Sequence, residues 1–189
     1  MNGIFDKVSG GKEIYKFNYN STPFGRSWID VVSGQTLMSA KGVFGKNTVE
    51  VSINILYRLF HPRGSGQITS TLWRIEKSIT QTNNFLTGHL TISDYSRGDS
   101  YRLDLGTLTI GGETRCEKTL EFNGVEYRFK FIYAASLNKT LNIDIYHQEH
   151  RLCNAYFGGV SHLEIFKCPI VINVSDMFGL VAAVHSLFF

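Results

Sequence analysis

Polar and apolar residues alternate with a period of two through most of the chain, and the alternation gives way only at the C-terminal end. Val49, Val51, Ile53, Ile55 and Tyr57 fall on one face of an extended segment, with Glu50, Ser52, Asn54 and Arg58 mostly opposite. Val125, Tyr127, Phe129, Phe131 and Tyr133 repeat the pattern against Glu126, Arg128 and Lys130. Such alternation marks a strand with one buried face. It predicts strands at 13–20, 27–32, 35–41, 48–57, 67–75, 86–93, 101–109, 113–122, 125–133, 141–146, 151–157, 161–166 and 170–174. Ser33-Gly34, Gly111-Gly112 and Asn123-Gly124 read as hairpin turns, the last most strongly, because both of its residues tolerate positive φ. Residues 61–66, HPRGSG, read as a loop.

The last stretch, SDMFGLVAAVHSLFF (175–189), breaks the pattern. Ser175 or Asp176 can act as an N-cap, and the residues behind leave almost no polar face. A helix apolar all round must be buried in protein or in lipid. At 1.5 Å per residue it is about 21 Å long, short of the roughly 30 Å hydrocarbon layer. It has no flanking Lys or Arg at its far end either, so burial within protein is expected and a transmembrane span is not. No helix-periodic segment longer than two turns precedes Ser175. The expected fold is therefore mainly β: a closed antiparallel barrel of about twelve strands around a buried C-terminal α-helix. A barrel of about eleven strands can hold a central helix, whereas eight strands fill their own interior. With no repeat, low-complexity tract or linker, one domain spanning 1–189 is expected.

Composition narrows the setting. The 189 residues, 43% hydrophobic, suffice for one sizeable core. The net charge of +3 with 19% charged residues permits an anionic partner surface without pointing to nucleic acid. Three cysteines (Cys116, Cys153, Cys168) are too few and odd in number for a disulfide framework. The N-terminal residues show neither a secretory apolar region nor a Met-Gly start, so the sequons at Asn20, Asn138 and Asn173 carry little weight. A cytoplasmic protein is expected, peripheral to a membrane where it binds one.

Candidate chemistry is sparse. His147 and His150 with Cys153 have ligand types that suit zinc, but residues three apart on a strand point to opposite faces unless Gln148-Glu149 makes a turn. A polar hairpin tip is the favoured account, and no metal or cofactor is expected. His185 is either a buried proton switch or, preferred, a histidine near the barrel mouth satisfied by a carbonyl or water. Gly64-Ser65-Gly66 lacks the rest of a nucleophile motif, Gly111-Gly112 lacks a phosphate-loop continuation, and Glu117 and Glu121 look solvated. No catalytic residues are assigned.

The ending FGLVAAVHSLF resembles the apolar C-terminal helix of the tubby-like superfamily, which comprises tubby proteins, phospholipid scramblases and LURP-one-related proteins. Trp28-Ile29-Asp30 through Gly34-Gln35-Thr36-Leu37 to Lys41-Gly42 is similar to the opening hairpin of the LURP-one-related branch. Asn83-Asn84-Phe85-Leu86-Thr87-Gly88 with Thr91-Ile92-Ser93-Asp94 resembles a glycine–strand–aspartate segment of tubby domains. The resemblance implies a twelve-stranded antiparallel barrel around a buried helix, and a non-catalytic module that binds an anionic phospholipid surface or a protein partner. Thr80 and Thr82 stand where tubby domains carry a basic pair for a phosphoinositide headgroup, with Lys77 the nearest cation. The acidic calcium segment and cysteine cluster of scramblases have no counterpart.

Cations remain the best guide to a binding surface. Arg128 and Lys130 share the outward face of one strand, and Arg74, Lys77, Arg102, Arg115 and Lys118 fall on other strands or their ends, where a scattered solvated surface is the ordinary account. Near an anionic membrane each cation adds roughly 1 kcal/mol. The first five are the candidate lipid-binding residues. The alternative function is a lipocalin-like carrier or enzyme, with the helix packed outside and a cavity for a small apolar ligand.

Overall fold

The computed structural model describes residues 12–22, 25–30, 36–42, 48–53, 71–95, 98–122, 124–135, 138–166 and 174–189. Among them the alternating segments form twelve strands. These are β1 (Lys12–Thr22), β2 (Gly25–Asp30), β3 (Thr36–Gly42), β4 (Thr48–Ile53), β5 (Thr71–Gln81) and β6 (Phe85–Asp94). The second half comprises β7 (Asp99–Thr109), β8 (Glu113–Phe122), β9 (Val125–Ala134), β10 (Thr140–His147), β11 (His150–Phe157) and β12 (Ser161–Phe166). The bounds of β8 and β12 match the alternation to the residue. β5 runs past the predicted end at Ile75 to Gln81, because pairing with β6 holds its polar second half extended. Residues 33–34, 61–66 and 170–173 lie outside the described residues, and Val174, predicted to end a strand, is the first residue of helix α1 (Val174–His185). Ser175 and Asp176 thus sit inside the first turn rather than capping it, and 186–188 form a turn instead of further helix. The described residues are mainly β, antiparallel, with one short helix.

All twelve strands belong to one sheet, ordered β7-β6-β5-β4-β3-β2-β1-β12-β11-β10-β9-β8. Laid flat at about 4.8 Å per strand it would be roughly 50 Å wide. Yet its first and last strands are consecutive in the chain, Thr109 and Glu113 being separated only by 110–112. Four Cα steps span at most about 14 Å, so the wall must curl back on itself. Between β7 and β8, however, no ladder joins the two edges among the described residues, and they approach far less closely than any other neighbours along the wall. The predicted hairpin at Gly111-Gly112 therefore turns without pairing its strands. Two features lie beside the gap. The β6–β7 register shifts at Gly88/His89, where Gly88 faces Gly106 at φ 130° and 64°, and this kinks β7. The Thr114 hydroxyl also donates to the Thr109 carbonyl at 2.9 Å, in place of a backbone donor.

The helix supplies the core. Met177, Leu180, Val181, Ala182, Ala183 and Val184 are all buried, at 0–2% exposure. α1 packs against β4, β5, β6 and β10. Aromatic contacts add β1, β9 and β11: His185 meets Tyr19 and Phe157 at 5.4 and 4.5 Å, and Phe188 stacks on Tyr133 at 4.1 Å. The helix is thus met by strands from both halves of the sheet order. Lys77 Nζ donates to the Ser186 carbonyl at 3.2 Å, a cation at the negative end of the helix dipole. At the other end, the buried Asp176 carboxylate accepts from the Tyr127 hydroxyl at 3.4 Å.

Gly179 has a packing reason to lack a side chain. A Cβ there would lie 2.8 Å from the indole of Trp73, which is itself fully buried and stacked on Phe122. Alanine favours a helix over glycine by about 1 kcal/mol. Gly179→Ala is nonetheless expected to lower the melting temperature, because the ring cannot retreat without opening the core. A calorimetric scan showing a rise would mean that Trp73 relaxes freely.

Candidate functional site

On β9 the parity that buries Tyr127, Phe129, Phe131 and Tyr133 sends Arg128 and Lys130 outward. The two neighbouring strands then decide what surrounds them. Register places Glu117 of β8 opposite Lys130, and Tyr146 of β10 opposite Arg128. Glu117 is therefore shared: its carboxylate lies 3.2 Å from Lys130 Nζ and 3.6 Å from Arg128 Nη1. Both cations also lean over one ring, with Arg128 Cζ 5.2 Å and Lys130 Nζ 5.8 Å from the Tyr146 centroid. A cation over an aromatic face is attracted by the ring quadrupole. Glu117, expected to be merely solvated, bridges the pair, though ion pairs this exposed contribute little net energy.

The cluster continues onto β11. The tight turn at Gln148-Glu149, with Gln148 at φ 51°, sets Tyr146 opposite Arg151. Arg151 Nε donates to Asp144 Oδ1 at 2.9 Å, and Asn154 Nδ2 donates to the same oxygen at 2.8 Å and to Asn142 Oδ1 at 2.9 Å. Asn154 Oδ1 meets His162 Nε2 at 3.2 Å. Asn154 is only 6% exposed although its strand parity turns it outward, so these polar neighbours roof it over. The outer wall from β8 to β12 thus carries a bonded band of polar groups, with Arg128 and Lys130 over Tyr146 and Arg151 over Phe166 at 5.0 Å.

The other predicted cations do not join this cluster. Arg74 pairs with Glu50 at 3.0 Å and stands 5.0 Å over Tyr95. Arg102 pairs with Asp104 on its own strand at 3.0 Å. Lys77 shares the inward parity of Trp73 and Ile75 and binds the helix end, so it and Arg74 occupy opposite faces of β5. Only Arg128 and Lys130 are brought together.

The histidine–cysteine group is divided. The turn does set His147 opposite His150, but His147 Nδ1 lies 2.8 Å from the Glu126 carbonyl oxygen, and Cys153 is fully buried among core side chains. Burial pushes the Cys153 thiol far above its ordinary value, and that of Cys116 upward as well. Among the described residues no three His, Cys, Asp or Glu side chains are placed to hold a metal ion. His185 is buried, stacked on Phe189 at 4.6 Å. No helix among the described residues is long and apolar enough to cross a membrane. No family model matches the chain, nor does any curated protein or solved structure.

Proposed function

We propose that this chain is a non-catalytic binding module of tubby-like build, its wall wrapped as a barrel around α1, and that its outer face docks weakly on anionic phospholipid surfaces. The observation that carries this is the convergence of Arg128 and Lys130 on Tyr146, with a single carboxylate between the two cations. A lipid phosphate can displace Glu117 and take both cations at once. Arg128 offers a planar fork, Lys130 a point charge, and the Tyr146 ring an amphipathic face. Arg74, Lys77 and Arg102 are engaged elsewhere and drop to a minor role. A lipocalin-like carrier would need its cavity where α1 packs, and is the weaker alternative for that reason.

So few cations make binding weak and salt-sensitive, since each contact is screened over about 8 Å at physiological ionic strength. Sedimentation with vesicles containing phosphatidylserine is the test. Arg128→Glu with Lys130→Glu is expected to abolish sedimentation at low salt without lowering the melting temperature appreciably. Glu117→Gln is expected to increase it, because the competing carboxylate is gone. Wild-type protein that ignores acidic vesicles even at low salt would end the membrane proposal and leave a protein partner as the better one.

A further inference from the structure

The seam between β7 and β8 is the one place along the wall where two long strands stand side by side without a ladder among the described residues. Side chains bridge it instead. Thr114 holds Thr109 at the turn, Tyr101 packs on Phe122 at the far end with centroids 4.1 Å apart, and between them Lys118 reaches across. Its Nζ would lie 3.4 Å from a Cβ on Gly106. Lys118 has the inward parity of Thr114, Cys116 and Leu120, yet it is only half-buried. Among the described residues it forms no ion pair, whereas Arg102 and Arg115 on the outer rim are neutralised by Asp104 and Glu113. An inward-pointing lysine is a known device for protecting a free sheet edge from promiscuous pairing.

We propose that this seam is a docking slot for an extended peptide of a partner protein, inserted as a thirteenth strand between β7 and β8. The unpaired edges supply backbone hydrogen bonds, and the flanking side chains dictate the sequence. Because β7 and β8 are antiparallel, the guest runs antiparallel to one and parallel to the other. Its inward positions face Leu103 and Leu105 on one side and Cys116 and Leu120 on the other, all buried, so they are apolar. One inward position faces Lys118 and carries a carboxylate. The outward positions meet a rim whose charges already cancel, and are neutral and polar. Insertion would complete the circuit of the wall, and nothing in it depends on the membrane proposal.

The test uses the full chain and synthetic seven-residue peptides of alternating valine and threonine whose central valine is replaced by Glu, Gln or Lys, with a scrambled glutamate peptide as control. Fluorescence anisotropy is expected to show the glutamate peptide binding about tenfold more tightly than the lysine peptide, the scale of one partly buried ion pair. Lys118→Glu is expected to reverse that order, and Lys118→Gln, which retains the volume should the charge reversal fail to fold, to level it. Hydrogen exchange is expected to slow on 99–105 and 115–121 when the glutamate peptide is bound. No binding above the scrambled control, an order indifferent to residue 118, or protection confined to other strands would each overturn the proposal. So would a stable dimer whose seam amides are protected without peptide, since a second copy would then occupy the slot.

Discussion

Removing residues 176–189 will leave a chain that shows no cooperative thermal transition. Every described side chain from Asp176 to Val184 is buried, and their partners include the largest aromatic residues of the sheet. Without them Trp73, Phe129 and Phe131 would face water, and stability is typically only about 5–15 kcal/mol. Leu180→Ala provides a graded version. Leucine-to-alanine changes in cores cost about 2–5 kcal/mol through transfer and cavity terms. In a chain of this size that lowers the melting temperature by roughly 5–15 °C. The barrier to collapse is high here, because Leu180 projects from a helix held at both ends, by Tyr127 at Asp176 and by Lys77 at Ser186. A truncated chain that stays soluble and melts sharply would show that the strands pack on one another without the helix.

What was legible depended on whether one strand alone held the information. The two faces of β9 follow from alternation, and the buried helix from its all-round apolarity. Glu117 was within reach as well: a two-residue turn at 123–124 pairs Phe122 with Val125, and counting back pairs Glu117 with Lys130. Tyr146 was not, because the β9–β10 connection is too long to set a register. Grouping Lys77 with Arg74 by charge leaves out face: Trp73 and Ile75 fix its parity, and it donates to the Ser186 carbonyl while Arg74 lies on the opposite face of β5. Bulges were the other blind spot. One between Ile145 and Tyr146 leaves Leu152 without a cross-strand partner, so that Leu152 and Cys153 are buried in succession, and with Asn154 roofed over by its polar partners the period of two disappears from 152 to 155. The open seam was hidden for the same reason. Gly-Gly between two alternating segments reads as a hairpin, and nothing local announces the kink where β7 meets its other neighbour, β6, at Gly106 and Gly88.

That kink makes the second large prediction. Gly88→Ala is expected to cost about 3–5 kcal/mol, near the upper end for single substitutions. Gly88 sits at φ 130°, a conformation essentially reserved for glycine, with strain of about 1–3 kcal/mol for any other residue. An alanine Cβ would also lie 2.0 Å from the Ser78 carbonyl oxygen and 3.0 Å from Ile79 Cα. Both are backbone atoms, so relief requires β5 and β6 to separate at the Ile79–Gly88 pair rather than one side chain to swing away. Its partner across the next strand interface provides the internal comparison. Gly106 at φ 64° occupies the ordinary left-handed region, and a Cβ there meets only the end of the flexible Lys118 side chain at 3.4 Å. Gly106→Ala is therefore expected to cost only about 1–2 kcal/mol. Urea titrations of the two variants should rank Gly88→Ala well below Gly106→Ala in midpoint, with hydrogen exchange in the first variant quickening on β5 and β6. Equal midpoints would mean that the wall at Gly88 is pliable, and that the bend in β7 is not anchored there.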